Sequence, residues 1–469
     1  MAPMAERLVS RGHNVTMFHM AFSALNDGGK GVKKVTAVAS PESIGIGPDG
    51  VSELFWNEEM DPSMIPAPDY ISFLFFKHTL NSSALDSILT TDWDLIVYDE
   101  MFSPYSTAVI NFLHKTRGPI PVVAFATTEF YDVNSMFRGL ARNPVIVPNH
   151  YTPGYDLDFS SSLFFYRLRQ AKETLREMVY TWIAHAAHGW AGELVGIEGN
   201  SIEGMYKETP LTLCDFPRYL RSSTTYSGTI VSTGENCQKA SPLPQDILDF
   251  VEDPSSKGTI YVAFGSIIDW ESGPKEIPDV FVRALNTFSD YRIIWAFKGK
   301  LREPFASHVK TLEWAPQNDI LAHRNTKIFF SHAGIKSFKE GVCSGVPLLL
   351  MPFYADQMMI ASAAKLKGIA ENVYKKNITE GELKRKISLV LDNYDTMKQQ
   401  MVEYRSLFLD NPMDPIDEGV FRVERLFRVD DSQLLRYSII HSSRLSFTSY
   451  FYIDLALVAV IPAMVFLSL

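Results

Sequence analysis

The sequence is poor in cysteine, in basic charge and in apolar residues near its beginning. Three cysteines in 469 residues, Cys214, Cys237 and Cys343, cannot build a disulfide framework. None stands in a CxxC or Cys/His pattern of zinc spacing, so no metal site is expected. We read them as three unrelated thiols, with a Cys214–Cys237 bridge as the alternative in an oxidising lumen. Forty-four Lys and Arg against 54 Asp and Glu leave a net charge of -10, which excludes a broad nucleic-acid footprint. No apolar segment follows Met1, so the opening residues are not a secretory signal. Residues 45–50 spell GxGxxG, but Ser40-Pro-Glu-Ser43 part them from the preceding strand, and no clear helix with an acidic residue about 20 positions on follows. They read as a Gly/Pro loop, which argues against an NAD enzyme.

What is present is a large apolar fraction, 46%, enough to exclude a disordered chain. The length fits two or three domains. A helix over the first residues ends at Gly12, and strands follow at 15–18, 35–38, 94–98 and 120–125. An amphipathic helix over 103–113 lies between the last two, so the pattern is βαβ and the sheet parallel. Residues 158–188 read as a long helix with charges on one face. Pro242-Leu-Pro244 is a stiff boundary, beyond which strands at 259–264, 292–297, 327–330 and 347–351 repeat the style. Two doubly wound α/β domains in tandem are expected, 1–227 and 228–430, with ligands bound in the cleft at the carboxyl ends of their strands. A juxtamembrane segment over 431–449 leads to residues 450–469, which carry one charge and an aromatic edge and read as a transmembrane helix. His185 and His188, at i and i+3, read as packing residues.

The most informative stretch runs from Trp314 to Gln357. A strand delivers Ser331-His332-Ala333-Gly334 into a tight turn before a helix begins near Ile335. Strand, small-residue loop and helix N-terminus together hold phosphate, because unpaired backbone N–H groups and the helix dipole point at one spot. His332 and Ser337 add donors beside that spot. Glu340 lies about one and a half turns into the helix, where it can accept from two ribose hydroxyls. Trp314 offers an aromatic wall and Gln317 an amide for a base edge, and Asp356 with Gln357 suits sugar hydroxyls. Taken alone, His332 could be a turn histidine, Glu340 a solvated helix position and Asp356 an N-cap.

In order and spacing, Trp314, Pro316, Gln317, His332, Gly334, Glu340, Gly345-Val-Pro347 and Asp356-Gln357 resemble the donor signature of the UDP-dependent glycosyltransferases of the GT-B fold, in the membrane-anchored animal branch. The likeness extends to Phe264-Gly265-Ser266, Trp295, Arg11-Gly-His-Asn14 and an acceptor-side loop at Pro144 to Pro148. The resemblance implies that Trp314 and Gln317 hold uracil, Glu340 the ribose, and Ser266, His332 and Ser337 the diphosphate, with Gly334 also in the donor site. Asp356 and Gln357 would read the sugar. Two positions depart from the pattern: Ala333 replaces a frequent Gly, and Lys336 a frequent Asn.

The implied reaction is inverting transfer of glucuronate or glucose from a UDP-sugar, the co-substrate, to a hydroxyl of a small lipophilic acceptor, with no further cofactor. Asp99 matches the Asp that orients the catalytic His. That His is expected just before the first helix, inside which this chain begins, so the alternative is an impaired UDP-sugar-binding or regulatory subunit. The family places such a protein in the endoplasmic reticulum membrane, single-pass, in contact with lipid through its C-terminal helix and with its globular part luminal. Sequons at Asn14, Asn81 and Asn377 allow glycans there, Asn14 being the poorest because it abuts a core strand. Homo-oligomerisation is left open.

Overall fold

The computed structural model describes residues 1–22, 29–45, 47–58, 61–130, 132–140, 163–220, 228–300, 302, 304–376, 378–429, 445–450 and 453–454. Strands β1 (Thr16–Ala21) and β2 (Lys33–Val38) form one parallel pair. A second parallel sheet runs β3 (Ile96–Asp99), β4 (Val122–Ala126), β5 (Leu211–Cys214) and β6 (Ile230–Ser232) in sequence order. The third contains β7 (Thr259–Ala263), β8 (Arg292–Ala296), β9 (Val309–Leu312), β10 (Thr326–Ser331), β11 (Leu348–Leu350) and β12 (Ala370–Asn372), in the order β12-β11-β10-β7-β8-β9. All three are parallel throughout. Val122-Val-Ala-Phe-Ala126 and Thr259-Ile-Tyr-Val-Ala263 are buried at every position, as strands covered by helices on both faces must be.

The expected strands are present, with ends displaced by at most three residues. The domain boundary needs correction. β6 pairs with β5, so the first domain runs through Ser232 rather than stopping at 227. The helix Pro415–Arg425 also returns to the first domain: its Ile416, Val420 and Val423 share a core with Met4, Leu8, Leu213 and Val231. Arg11 and His13 hold it by bonds of 3.1 and 3.2 Å to Glu424. An apolar face at the right helical spacing does not reveal which of two sheets it covers.

Residues 45–50 join two helices instead of forming a plain loop. Gly45 caps the first at φ 79°, and Pro48–Asn57 forms the second. That second helix clamps the domains together: Trp56 packs among Trp270 and Phe353 of the second domain and donates to the Asp269 carbonyl at 2.8 Å.

The long helix spans Phe164–Leu194, and its polarity is inverted. Glu173, Thr174, Glu177, Thr181 and His188 are buried, whereas Phe165, Leu175, Val179 and Trp182 are exposed. The helix packs against the helices Pro66–Thr79 and Ser103–Arg117, and its buried face mixes these polar groups with Met178, Ala184, Ala187 and Ala191, while Lys172 stays exposed. Among the described residues, no helix is long and apolar enough to cross a membrane. The anchor expected over 450–469 lies almost wholly outside the described residues, as do Asn377 and the Pro144 to Pro148 loop. Asn14 and Asn81 are both exposed, so burial does not disfavour Asn14.

Candidate functional site

The order of the third sheet reverses between β7 and β10: the chain moves outward to β9 on one side, then to β12 on the other. At such a switch point the loops leaving adjacent strands diverge and open a crevice. β7 ends in Phe264-Gly265-Ser266 and β10 in Ser331-His332-Ala333-Gly334, side by side because Ala263 registers with Ser331. Gly265 is at φ 72°, and a Cβ there would stand 2.9 Å from the His332 ring. A Cβ on Gly334 would collide with the same ring. Both positions need glycine because the imidazole lies between the two loops. Burial pushes His332 down to about 4, so the ring is neutral at physiological pH and serves as a hydrogen-bonding group rather than a cation. Ser331 Oγ is 3.4 Å from its Nδ1.

The helix Ile335–Ser344 starts directly after this loop, with Ser337 in its first turn and Glu340 at its sixth residue. The crossover from β9 to β10 carries Trp314 and Gln317 to meet them. Gln317 Nε2 donates to Ser337 Oγ at 3.1 Å and to Glu340, and its Oε1 accepts from Tyr261 on β7 at 3.3 Å. Desolvation raises the Glu340 carboxyl above its ordinary value, and the Gln317 bond opposes that shift. Trp314 stands 82% exposed at the rim, its ring faces open to a planar base.

After β11, adjacent to β10, the chain reaches Asp356 and Gln357, both buried. Gln357 Oε1 accepts from the Phe353 and Tyr354 amides at 2.9 and 3.2 Å, which leaves its NH₂ as the group able to donate. Ala333 (φ 65°) and Ala355 (φ 53°) are the two non-glycine residues at positive φ among the described residues. Each immediately precedes a site residue. Such strain costs about 1–2 kcal/mol per residue and gathers where loops are held for function.

Across the crevice stands the first domain. Lys339 of the donor helix pairs with Asp215, just after β5, at 2.8 Å. Asp99 ends β3 and accepts from the Met101 amide at 2.9 Å, while burial pushes its carboxyl up to about 6. Met1 lies between the domains, where its amino group feels Asp215, Lys336, Lys339 and Asp99. Of the sequence-predicted donor residues, Gln317, Ser337 and Glu340 thus meet directly at the start of one helix, with His332 and Gly334 in the loop before it.

Against this geometry, the family model described as UDP-glucoronosyl and UDP-glucosyl transferase matches residues 120–469. The chain belongs to that family. UDP-glycosyltransferase UGT4 of Dactylopius coccus is 27% identical over 93% of this chain and 84% of its own length. The 2-hydroxyacylsphingosine 1-beta-galactosyltransferase of Rattus norvegicus is 29% identical over 53% of this chain, a match that spans only 44% of the relative. Among solved structures, the spinosyn forosaminyltransferase SpnP superposes with a TM-score of 0.59 over 91% of this chain and 95% of its own, at 16% identity. That likeness speaks for the two-domain glycosyltransferase fold.

In this member of the UDP-glycosyltransferase family, two features beside the site carry no local sequence signal. Cys237 and Cys343 form a disulfide with a Cα–Cα distance of 5.6 Å, and Cys214 remains a buried thiol at the end of β5. Neither three thiols nor a Cys214–Cys237 bridge is correct. The bridge ties the segment after β6 to the last turn of the donor helix, across a separation of 106 residues that carries no spacing signal. Tyr261 was also missed. A strand tyrosine reads as core, and only its reach to Gln317 reveals the second role.

Proposed function

We propose that this protein is an inverting UDP-glycosyltransferase that moves a hexose, glucuronate or glucose, from a UDP-sugar to a hydroxyl of a small acceptor. The observation that carries the reading is the convergence of Gln317, Ser337, Glu340 and His332 around the N-terminus of one helix at the switch point of its sheet. There the helix N-terminus and the neutral His332 stabilise the diphosphate as the C1–O bond breaks and UDP leaves. Glu340 takes the ribose hydroxyls, Trp314 and Gln317 the uracil, and Asp356 with Gln357 the sugar. The acceptor oxygen attacks C1 from the face opposite UDP, which inverts the anomeric centre. Asp99 is the positioning residue for the group that removes the acceptor proton. No observation favours the binding-only subunit.

The disulfide supports folding in an oxidising compartment. With the apolar stretch 450–469, it supports a luminal protein anchored by its C-terminus. Endoglycosidase treatment of microsomal protein should increase gel mobility; unchanged mobility would count against the luminal placement. Calorimetric titration with UDP-glucose and UDP-glucuronate, followed by mass spectrometry of products on a hydroxylated acceptor panel, tests the activity. Absence of both UDP binding and transfer would overturn it.

A further inference from the structure

The helix Pro48–Asn57 belongs to the first domain by chain order, yet the face it buries is seated in the core of the second. Ser52 and Trp56, four residues apart, lie on one side of the helix and are both buried. Ser52 Oγ accepts from the Asp269 amide at 2.8 Å, and Trp56 Nε1 donates to the carbonyl of the same residue. Lys375 closes the other end. Its buried ammonium donates to the carbonyl of Phe55 and, at 2.7 Å, to that of Glu58, at the helix C-terminus where a cation is favoured.

The rings on this helix touch one particular loop. Phe55 stacks on Tyr354, with centroids 4.0 Å apart and planes 10° from parallel, and Trp56 meets Phe353 edge-on at 4.7 Å. Two successive residues thus hold two successive residues. The backbone amides of Phe353 and Tyr354 are the groups that donate to Gln357 Oε1, at 2.9 and 3.2 Å. Tyr354 also packs beside Ile65 and Ala184 of the first domain. Ala355, the next residue, stands at φ 53°, a conformation that persists only where the surroundings over-determine it. Binding both amides fixes the plane of the Gln357 carboxamide and with it the direction of its NH₂. Hydrogen bonds weaken steeply as their angle departs from linear, so that direction matters.

We infer that Phe55 and Trp56 are positioning residues for the donor sugar: packed on Tyr354 and Phe353, they set the loop that aims Gln357, so sugar recognition in the second domain depends on a helix of the first. The inference rests on the transferase reading, in which Gln357 reads the sugar. It separates the two parts of the donor. Uridine diphosphate is taken by Trp314, Gln317, His332, Ser337 and Glu340, which stand on other loops and on the helix Ile335–Ser344, whereas the sugar is read from the loop that Phe55 and Trp56 hold.

The test is calorimetric titration of the full chain with UDP, UDP-glucose and UDP-glucuronate. Phe55→Leu, which keeps the apolar bulk and removes the stack, should weaken the tighter-binding UDP-sugar about three- to tenfold and leave UDP within about twofold. Phe55→Tyr, which keeps the ring, should bind the UDP-sugar as the unsubstituted chain does. In a chain already carrying Gln357→Ala, F55L should cost less than about twofold more, because its effect runs through Gln357. Should F55L lower the melting temperature, Tyr354→Leu breaks the same stack from the second domain and should give the same split between UDP-sugar and UDP. Equal losses for UDP and UDP-sugar, unchanged sugar affinity in F55L, or full additivity of F55L with Q357A overturns the proposal. An unsubstituted chain that binds neither UDP nor a UDP-sugar overturns the transferase reading and this proposal with it, so the two failures are distinguishable.

Discussion

In the second domain β7 and β10 end on small-residue loops, polar side chains gather around one helix start, and the strands behind them are mostly apolar and buried at every position but Lys327. In the first domain the strands fall into two sheets, β1–β2 and β3–β6, and polar side chains penetrate the interior along a helix whose apolar face is exposed. The difference follows from what each half is proposed to hold. A nucleotide diphosphate is recognised by backbone and dipole at a loop, so the core behind can stay apolar. A small hydroxylated acceptor carries no diphosphate for a helix end to hold, so side chains must reach it from the walls.

The largest expected effect concerns the staple on the donor side. Reducing Cys237–Cys343, or replacing Cys343 by Ser, should lower unfolding free energy by about 4–5 kcal/mol, from the entropy of a closed loop of this length. Urea unfolding with and without reductant measures it. Equal midpoints would show that the domains are held by packing alone, through Trp56 and the Lys339–Asp215 pair.

Acid should strain both halves. His185 and His332 have folded pKa values of about 4 and His188 of about 3, all below the ordinary 6.5. As pH falls from 6.5 toward 4 the unfolded chain binds their protons first, so stability is lost in that window, on the order of a few kcal/mol. Asp99, raised to about 6, works in the other sense: between about 6 and 4 the folded chain holds the extra proton and gains stability. Asp69 and Glu340, both raised by burial, act in the same sense as Asp99, so the histidine contribution is measured by comparing variants across about pH 7 to 4.5. His332→Asn should flatten the decline through the second domain, and His185→Phe through the first. An unchanged profile in both variants would contradict the burial of these rings.

Glu340→Ala should weaken UDP binding by about 1.5–3 kcal/mol, roughly 10- to 150-fold. Calorimetry that gives equal UDP affinity would sever the ribose assignment from Glu340. The smallest effect belongs to Ala333. Glycine at φ 65° relieves backbone strain but adds unfolded-state entropy, so Ala333→Gly should stabilise by about 0.5–1 kcal/mol in thermal melts. Destabilisation would mean that the methyl group packs well enough to repay the strain.

The donor site was legible in the sequence because its parts are local. His332, Gly334, Ser337 and Glu340 occupy nine consecutive positions of one strand–loop–helix unit, where backbone geometry alone fixes their relation. Strand identity was equally legible, since burial on both faces forces continuous apolar runs. Contacts between distant segments were not. The Cys237–Cys343 bridge, the return of Pro415–Arg425 to the first sheet and the insertion of Trp56 into the second core each join segments more than a hundred residues apart, and no local preference encodes which surface an apolar face will meet. The inverted long helix is the sharpest case. Its periodicity gave a polar face and an apolar face, but only tertiary packing, against the helices Pro66–Thr79 and Ser103–Arg117, decided which residues turned inward.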